Sequence, residues 1–83
     1  MRTLQQIMTA TGYETRSYSG RGMNGRECLA VECNHLMRLF AELLGDLDDE
    51  DERAAVAAAL RKARMDSMGR GMVVYFPGVE FVS

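Results

Sequence analysis

The dipeptide Asn24-Gly25 is the feature that most constrains the fold of this chain, because it separates two stretches that favour extended backbone. Residues 13–19 precede it and residues 27–33 follow it, and both stretches contain β-branched or aromatic side chains. A type I′ hairpin turn requires positive φ at both central residues, and Asn-Gly tolerates that conformation best. The sequence therefore predicts an antiparallel β-hairpin that is closed by a two-residue turn.

Counting outward from this turn gives the expected register of the two strands. Tyr18 then lies opposite Val31, and one face of the hairpin carries Tyr18, Leu29, Val31 and Cys33. Because this face is the more apolar of the two, we expect it to contact the core. Glycines at positions 20 and 22 weaken a strand, and a β-bulge there would shift the register.

Three segments have the apolar periodicity of amphipathic helices. We expect the first helix at residues 3–11 and the second at about 35–45, with Asn34 as the N-cap of the second and Gly45 at its end. The third is expected at about 50–66. The apolar residues on which these assignments depend are Leu4, Ile7 and Met8, then Leu36, Leu39, Phe40, Leu43 and Leu44, then Val56, Ala59, Leu60 and Ala63.

The ends of the third helix carry further signals. Asp49 and Glu52 have the spacing of a capping box, with Asp in place of Ser or Thr. After this helix, residues 72–76 form the most β-prone stretch of the chain, and apolar residues fall on both of its faces. We therefore place this strand centrally or beneath a helix. Pro77-Gly78 favours a type II turn, so residues 79–82 need not pair back as a hairpin.

These segments follow one another as helix, strand, strand, helix, helix, strand. Grouped helices favour an antiparallel sheet over a parallel α/β fold. The expected architecture is therefore α+β, with a small antiparallel sheet of about three strands and with helices on one face. A chain of 83 residues has room for one domain, which we expect to span residues 1–83.

Composition narrows the possible functions. Hydrophobic residues make up 47% of the chain and charged residues 27%, as in a foldable globular domain. No apolar run is long enough for a membrane span, and the first six residues lead into no signal-peptide core, so we expect a cytoplasmic protein without membrane contact. The formal net charge is −2, which gives no overall attraction to nucleic acid.

The candidates for a metal or catalytic site are the only cysteine and histidine side chains of the chain, Cys28, Cys33 and His35. The two cysteines are five residues apart, so on a regular strand they point to opposite faces and favour neither a shared metal nor a disulfide. A tetrahedral zinc site would also need a fourth ligand. No serine lies in a nucleophile motif, and the paired carboxylates lack an apolar pocket. We therefore expect no metal, no cofactor and no enzymatic activity.

The loop Gly20–Arg26 has two interpretations. Its glycines and its arginines Arg21 and Arg26 suit an anion, because guanidinium groups bind phosphate or carboxylate in a bidentate manner. Alternatively, it is an ordinary hairpin tip whose glycines satisfy the turn and whose arginines protect an edge. Met23 lies in this loop, and an exposed methionine suits an adaptable binding surface.

The acidic run from Asp46 to Glu52 also has two interpretations. It is either a helix N-terminus with extra solvating charge, which the macrodipole favours, or an anionic surface for a basic protein groove. Helix capping accounts for Asp49 to Glu52 but leaves Asp46 and Asp48 unexplained. The candidate partner-binding residues are Asp46, Asp48, Asp49, Glu50, Asp51, Arg21, Met23, Asn24 and Arg26.

The segment Ser17–Leu29, which reads SYSGRGMNGRECL, resembles a segment that recurs in small bacteriophage and prophage proteins. Those proteins often have an aromatic residue in place of Asn24. The resemblance implies membership of the compact, acidic accessory proteins of mobile elements, a group that includes anti-CRISPR and other anti-defence inhibitors. Such inhibitors usually act without catalysis, by covering a nucleic-acid or effector surface of a host complex.

The leading hypothesis is therefore a phage- or prophage-derived inhibitor that binds a host defence protein or complex. The alternative is a small nucleotide- or nucleic-acid-binding module in which Arg16, Arg21 and Arg26 bind phosphate and Tyr18 stacks on a base. A thin core also leaves self-association open. A homodimer through the C-terminal strand or the second helix would cover apolar surface, and a monomer is the alternative.

Overall fold

The structure, a computed structural model, describes residues 1–69 and 71–83. It contains helices and strands in the order α1, β1, β2, α2, α3, β3, β4. Their bounds are α1 Leu4–Ala10, β1 Thr15–Tyr18, β2 Cys28–Glu32, α2 Leu36–Gly45, α3 Glu50–Arg61, β3 Arg64–Met68 and β4 Gly71–Phe76. The strands form one antiparallel sheet with the spatial order β1-β2-β4-β3. The expected α+β class is confirmed.

The sheet has four strands, so the expectation of about three strands was wrong. The missing strand is β3, whose first three residues, 64–66, fall in the segment predicted as the third helix, 50–66; α3 ends at Arg61 instead. The residues of β3 have no strong β propensity of their own. They pair with the β-prone strand β4, from Arg64 opposite Tyr75 onward. Tertiary pairing outweighs local helix propensity here.

Helices α1 and α2 begin and end within one residue of the expected positions, and α3 begins at the expected residue. In α1, Thr3 and Gln6 form a reciprocal capping box. The N-cap of α2 is His35, which makes no side-chain capping bond, so the assignment of Asn34 as the cap was wrong. The Asn34 side-chain oxygen instead accepts a hydrogen bond from the Met72 N–H at 3.2 Å and ties the end of β2 to β4. Among the described residues, no helix has the length and apolar character needed to cross a membrane.

All three helices pack on one face of the sheet, as expected. Each contributes buried residues to a single core with residues of β2 and β4. The main buried members are Ile7 and Met8, Leu39 and Leu43, Val56 and Leu60 from the helices, and Leu29, Val31, Val74 and Phe76 from the strands. The apolar face expected for α3 is confirmed, since Val56 and Leu60 are buried and Ala59 packs beside them.

The hairpin register differs from the expected one. Tyr18 lies opposite Cys28 rather than Val31, a shift of three residues. An odd shift moves a side chain to the other face of a sheet. Tyr18 therefore leaves the helix-covered face and packs on the opposite one, against a small cluster formed by Cys28, Ala30, Val73 and Tyr75.

The loop of residues 19–27 explains the shift. Asn24 and Gly25 do have positive φ, and the Arg26 N–H donates to the Met23 carbonyl at 3.0 Å, so the predicted tight turn forms. A second turn precedes it, in which the Met23 N–H donates to the Gly20 carbonyl at 3.2 Å. Two successive turns fold the loop back over the helix-free face, instead of extending the strands to a two-residue tip.

Candidate functional site

The acidic run, residues 46–52, divides into structural and exposed carboxylates. Asp49 is the N-cap of α3, and its side chain accepts from the Glu52 N–H at 3.0 Å. The reciprocal half of a capping box does not form, because the Glu52 carboxylate binds Arg2 instead. Asp49, which was a candidate for partner binding, thus has a role in the fold.

Glu52 anchors the N-terminal segment to α3. Its carboxylate accepts from the Arg2 backbone N–H at 2.7 Å and from the Arg2 guanidinium at 3.1 and 3.3 Å. The Glu52 side chain is only 8% exposed. The hydrogen bonds from Arg2 hold the pKa of Glu52 below its ordinary value.

The four remaining carboxylates belong to Asp46, Asp48, Glu50 and Asp51, and all four residues are exposed. None of them has a side-chain hydrogen bond or an ion pair within residues 1–69 and 71–83. We call these four residues the acidic surface.

The backbone that carries the acidic surface is fixed on both sides. Leu47 is buried in the main core, between two exposed aspartates. The Arg53 guanidinium donates to the carbonyl of Leu44 at 2.7 Å and to that of Leu47 at 2.9 Å. The α2–α3 connection is therefore held by the buried Leu47 side chain and by the hydrogen bonds of Arg53.

The candidate residues of the loop also divide into exposed residues and one residue with a structural role. Arg21, Asn24 and Arg26 are exposed. Met23, expected to be an exposed contact residue, is half-buried instead and packs on the cluster beneath the loop. Its sulfur accepts a hydrogen bond from the Gly20 N–H at 3.2 Å and lies 4.0 Å from the Cys28 sulfur. Met23 thus acts as the anchor of the loop.

Arg26 lines a cleft that sequence reasoning missed. The cleft has a volume of about 400 Å³ and lies between the loop 19–27 and residues 77–80. Arg64, the first residue of β3, lines the same cleft. We call this space the loop cleft. The local sequence did not indicate that Arg64 lines this cleft, because residue 64 falls in the segment predicted as the third helix.

Two residues of the alternative nucleic-acid hypothesis are engaged elsewhere. The Tyr18 ring packs on Tyr75 with a centroid distance of 5.3 Å, and its hydroxyl donates to Asp66 at 2.9 Å. This hydrogen bond raises the pKa of Tyr18. Arg16 forms an ion pair with Glu32 at 3.2 Å. Tyr18 and Arg16 are therefore not arranged around a common ligand with the loop arginines.

A second polar cluster lies at the start of α2, beside a cleft of about 420 Å³. The Tyr13 hydroxyl donates to Glu42 at 2.6 Å, and Arg38 donates to the other oxygen of Glu42 at 2.8 Å. Burial and the bond to Glu42 raise the pKa of Tyr13 to about 12, whereas the bonds from Tyr13 and Arg38 lower the pKa of Glu42. The arrangement joins the end of α1 to α2.

The two cysteines and the histidine do not form a common site among the described residues. Cys28 is buried under the loop and Cys33 packs beside the main core, so they lie on opposite faces, as their spacing predicts. Burial raises the pKa of Cys28. The Cys33 thiol donates to the His35 carbonyl at 3.2 Å, not to the imidazole. Within the described ranges, no three His, Cys, Asp or Glu side chains are grouped so that they could hold a metal ion.

Comparison with known proteins adds no relative to this description. No protein-family model matches the chain, and no curated protein or solved structure has significant similarity to it. The proposals below therefore start from the acidic surface and the loop cleft themselves.

Proposed function

We propose that this chain is a non-catalytic, anti-CRISPR-like inhibitor of phage or prophage origin that binds a host defence protein in the cytoplasm. The acidic surface contacts basic residues that the partner otherwise uses for nucleic acid. The observation that carries the proposal is a set of four exposed carboxylates, at Asp46, Asp48, Glu50 and Asp51, that have no side-chain partner among the described residues.

Charge density supports an electrostatic role for this surface. Unpaired carboxylates that are close in sequence repel one another, and a fold gains nothing from them beyond the helix-dipole effect. That effect favours acids in the first turn of a helix, where Glu50 and Asp51 lie, but not at Asp46, which follows α2. Negative charge beside the C-terminus of α2 is unfavourable for the helix, so a gain in binding is a better explanation for it.

The fixed backbone beneath the acidic surface supports the same role. Binding is weakened by the entropy of ordering loops at an interface. Here Leu47 and Arg53 already hold the connection that presents the carboxylates. The partner would therefore meet a surface whose charges are in place, and complementary charge would raise the rate of association.

The test is quantitative capture from a nuclease-treated bacterial lysate with a variant that carries D46N, D48N, E50Q and D51N. Asp49 is kept because it caps α3. The variant should lose a partner that the wild-type chain captures at low salt, and added salt should weaken wild-type capture, because exposed charge pairs are screened over about 10 Å at 0.1 M ionic strength.

A control removes exposed carboxylates elsewhere, with Glu14 and Glu32 changed to Gln; neither residue belongs to the acidic surface or lines the loop cleft. This control should retain the partner. Equal capture by the wild-type chain and the acidic-surface variant, or capture that does not depend on salt, would contradict charge mimicry. Circular dichroism of each variant verifies that the fold is unchanged.

A further inference from the structure

Four charged side chains of both signs line the loop cleft: Arg26, Glu27, Arg64 and Glu80. Among the described residues, none of the four takes part in an ion pair within 4.0 Å, although three ion pairs form elsewhere in residues 1–69 and 71–83. Two cationic and two anionic groups thus line one cleft without an ion pair between them, and all four can contact a ligand.

The walls of the loop cleft are fixed by contacts outside it. On one side, the Met23 side chain packs on the cluster beneath the loop and Gly20 lies against the Tyr75 ring, which holds the loop to the sheet. On the other side, the Val79 carbonyl accepts from the Leu29 N–H at 2.8 Å, which holds the segment after β4 against β2. The cleft is therefore formed before any ligand arrives, which lowers the entropy lost on binding.

We propose that the loop cleft binds a small zwitterion of amino-acid or dipeptide size. Its anionic group contacts the guanidinium groups of Arg26 and Arg64, and its cationic group contacts the carboxylates of Glu27 and Glu80. A ligand of one sign would be repelled by one of the two pairs, whereas a zwitterion satisfies both. Arginine binds a carboxylate through two parallel hydrogen bonds, which favours a carboxylate at the anionic end.

The size of the cleft fits a ligand of this class. Its volume of about 400 Å³ is at the lower end of the range for small-molecule pockets, roughly 300–1,000 Å³. Met23 and Pro77 also line it and provide apolar contact for the body of the ligand. This site does not rest on the acidic surface, none of whose residues lines the cleft, so the two proposals can fail independently.

The probe is the dipeptide alanyl-alanine, which has one free amino and one free carboxyl group. We expect titration to give saturable shifts of backbone amide resonances in two-dimensional NMR spectra, centred on Gly22, Met23, Arg26 and Val79. The N-acetylated dipeptide lacks the cation and the C-amidated dipeptide lacks the anion. Each of these should bind at least about tenfold more weakly, since each leaves one pair of charges unpaired.

The variants Arg26→Gln and Arg64→Gln should each weaken dipeptide binding by about tenfold. Arg21→Gln is the matched control, because Arg21 is exposed in the same loop but does not line the cleft. The spectra of the variants also report whether the fold is unchanged.

Absence of saturable shifts with the dipeptide would overturn the proposal. Equal binding of the N-acetylated dipeptide would also overturn it, because the cleft would then be a simple anion site. Equal weakening by Arg21→Gln would show that binding follows the overall charge of the loop and not the cleft.

Discussion

At Gly20 the loop backbone touches the ring of Tyr75, and a Cβ atom there would overlap the ring carbons and the hydroxyl. Gly20 is buried, whereas the neighbouring glycine at position 22 has open space around it. The sequence indicated that glycines weaken a strand at these positions and that a β-bulge there would shift the register. Tyr75 is remote in sequence, so the contact that requires glycine at position 20 becomes visible only in the folded chain.

Gly20→Ala should lower the free energy of unfolding by about 1–3 kcal/mol, the usual effect of forcing an extra methyl group into a packed site. Chemical denaturation with circular dichroism would measure it. Gly45→Ala is the control, because Gly45 is the last residue of α2 and a Cβ there meets nothing within 4 Å. This control should be neutral or stabilising. A neutral Gly20→Ala would contradict the close packing of the loop on Tyr75.

Glu52 should make stability depend on acid pH. Its pKa in the folded chain is lowered from 4.5 by the hydrogen bonds from Arg2, so the folded state takes up the proton less readily than the unfolded state. The stabilisation is complete above the ordinary pKa and is lost as pH falls through the lowered value. The difference in Tm between the wild-type chain and Glu52→Gln should therefore be largest at neutral pH and should shrink below about pH 4.5.

The control for this titration is Glu50→Gln, which removes an exposed carboxylate two residues away. Its Tm should stay near that of the wild-type chain at neutral pH, because Glu50 has no hydrogen-bond partner among the described residues. Thermal unfolding at a series of pH values would measure all three proteins. A Tm difference for Glu52→Gln that did not change with pH would contradict the role of the ion pair with Arg2.

At the scale of elements, the features that the sequence predicts correctly are those with local causes. Apolar periodicity locates α1 and α2, Asp49 marks the start of α3, and Asn24-Gly25 forms its tight turn. The features that the sequence misses depend on distant partners. The strand β3 pairs with an edge of β4, and the loop whose two turns shift the hairpin register packs on Tyr75.

The same division holds for the candidate sites. The exposed charges of the acidic surface could be predicted from the sequence, since a dense run of acidic residues is rarely buried. The structural role of Glu52 could not be predicted from the sequence, because its partner Arg2 is 50 residues away along the chain. Arg64 joins Arg26 only through the sheet order, in which β3 follows β4 as an edge strand.

At the scale of the molecule, the apolar surface that favoured a dimer is mostly covered by the chain itself. The C-terminal strand β4 lies between β2 and β3, so it has no free edge for a second copy. The helix-free face is closed by Tyr18 and Met23 over the small cluster beneath them. The radius of gyration is 12.1 Å, close to the value of about 11.8 Å for a compact domain of this length.

The exposed large apolar side chains among the described residues are Met1, Met37 and Val82. Of these, only Met37 lies on a helix, α2, and it is 75% exposed. Isolated apolar residues of this kind are normal on monomer surfaces, and a stable dimer needs a contiguous patch. We therefore expect a monomer of 9.3 kDa in size-exclusion chromatography with light scattering, even at high protein concentration.

A species of twice this mass would contradict the expectation. The variant Met37→Glu would then show whether the outer face of α2 is the interface, because a charge at that position would dissociate the dimer.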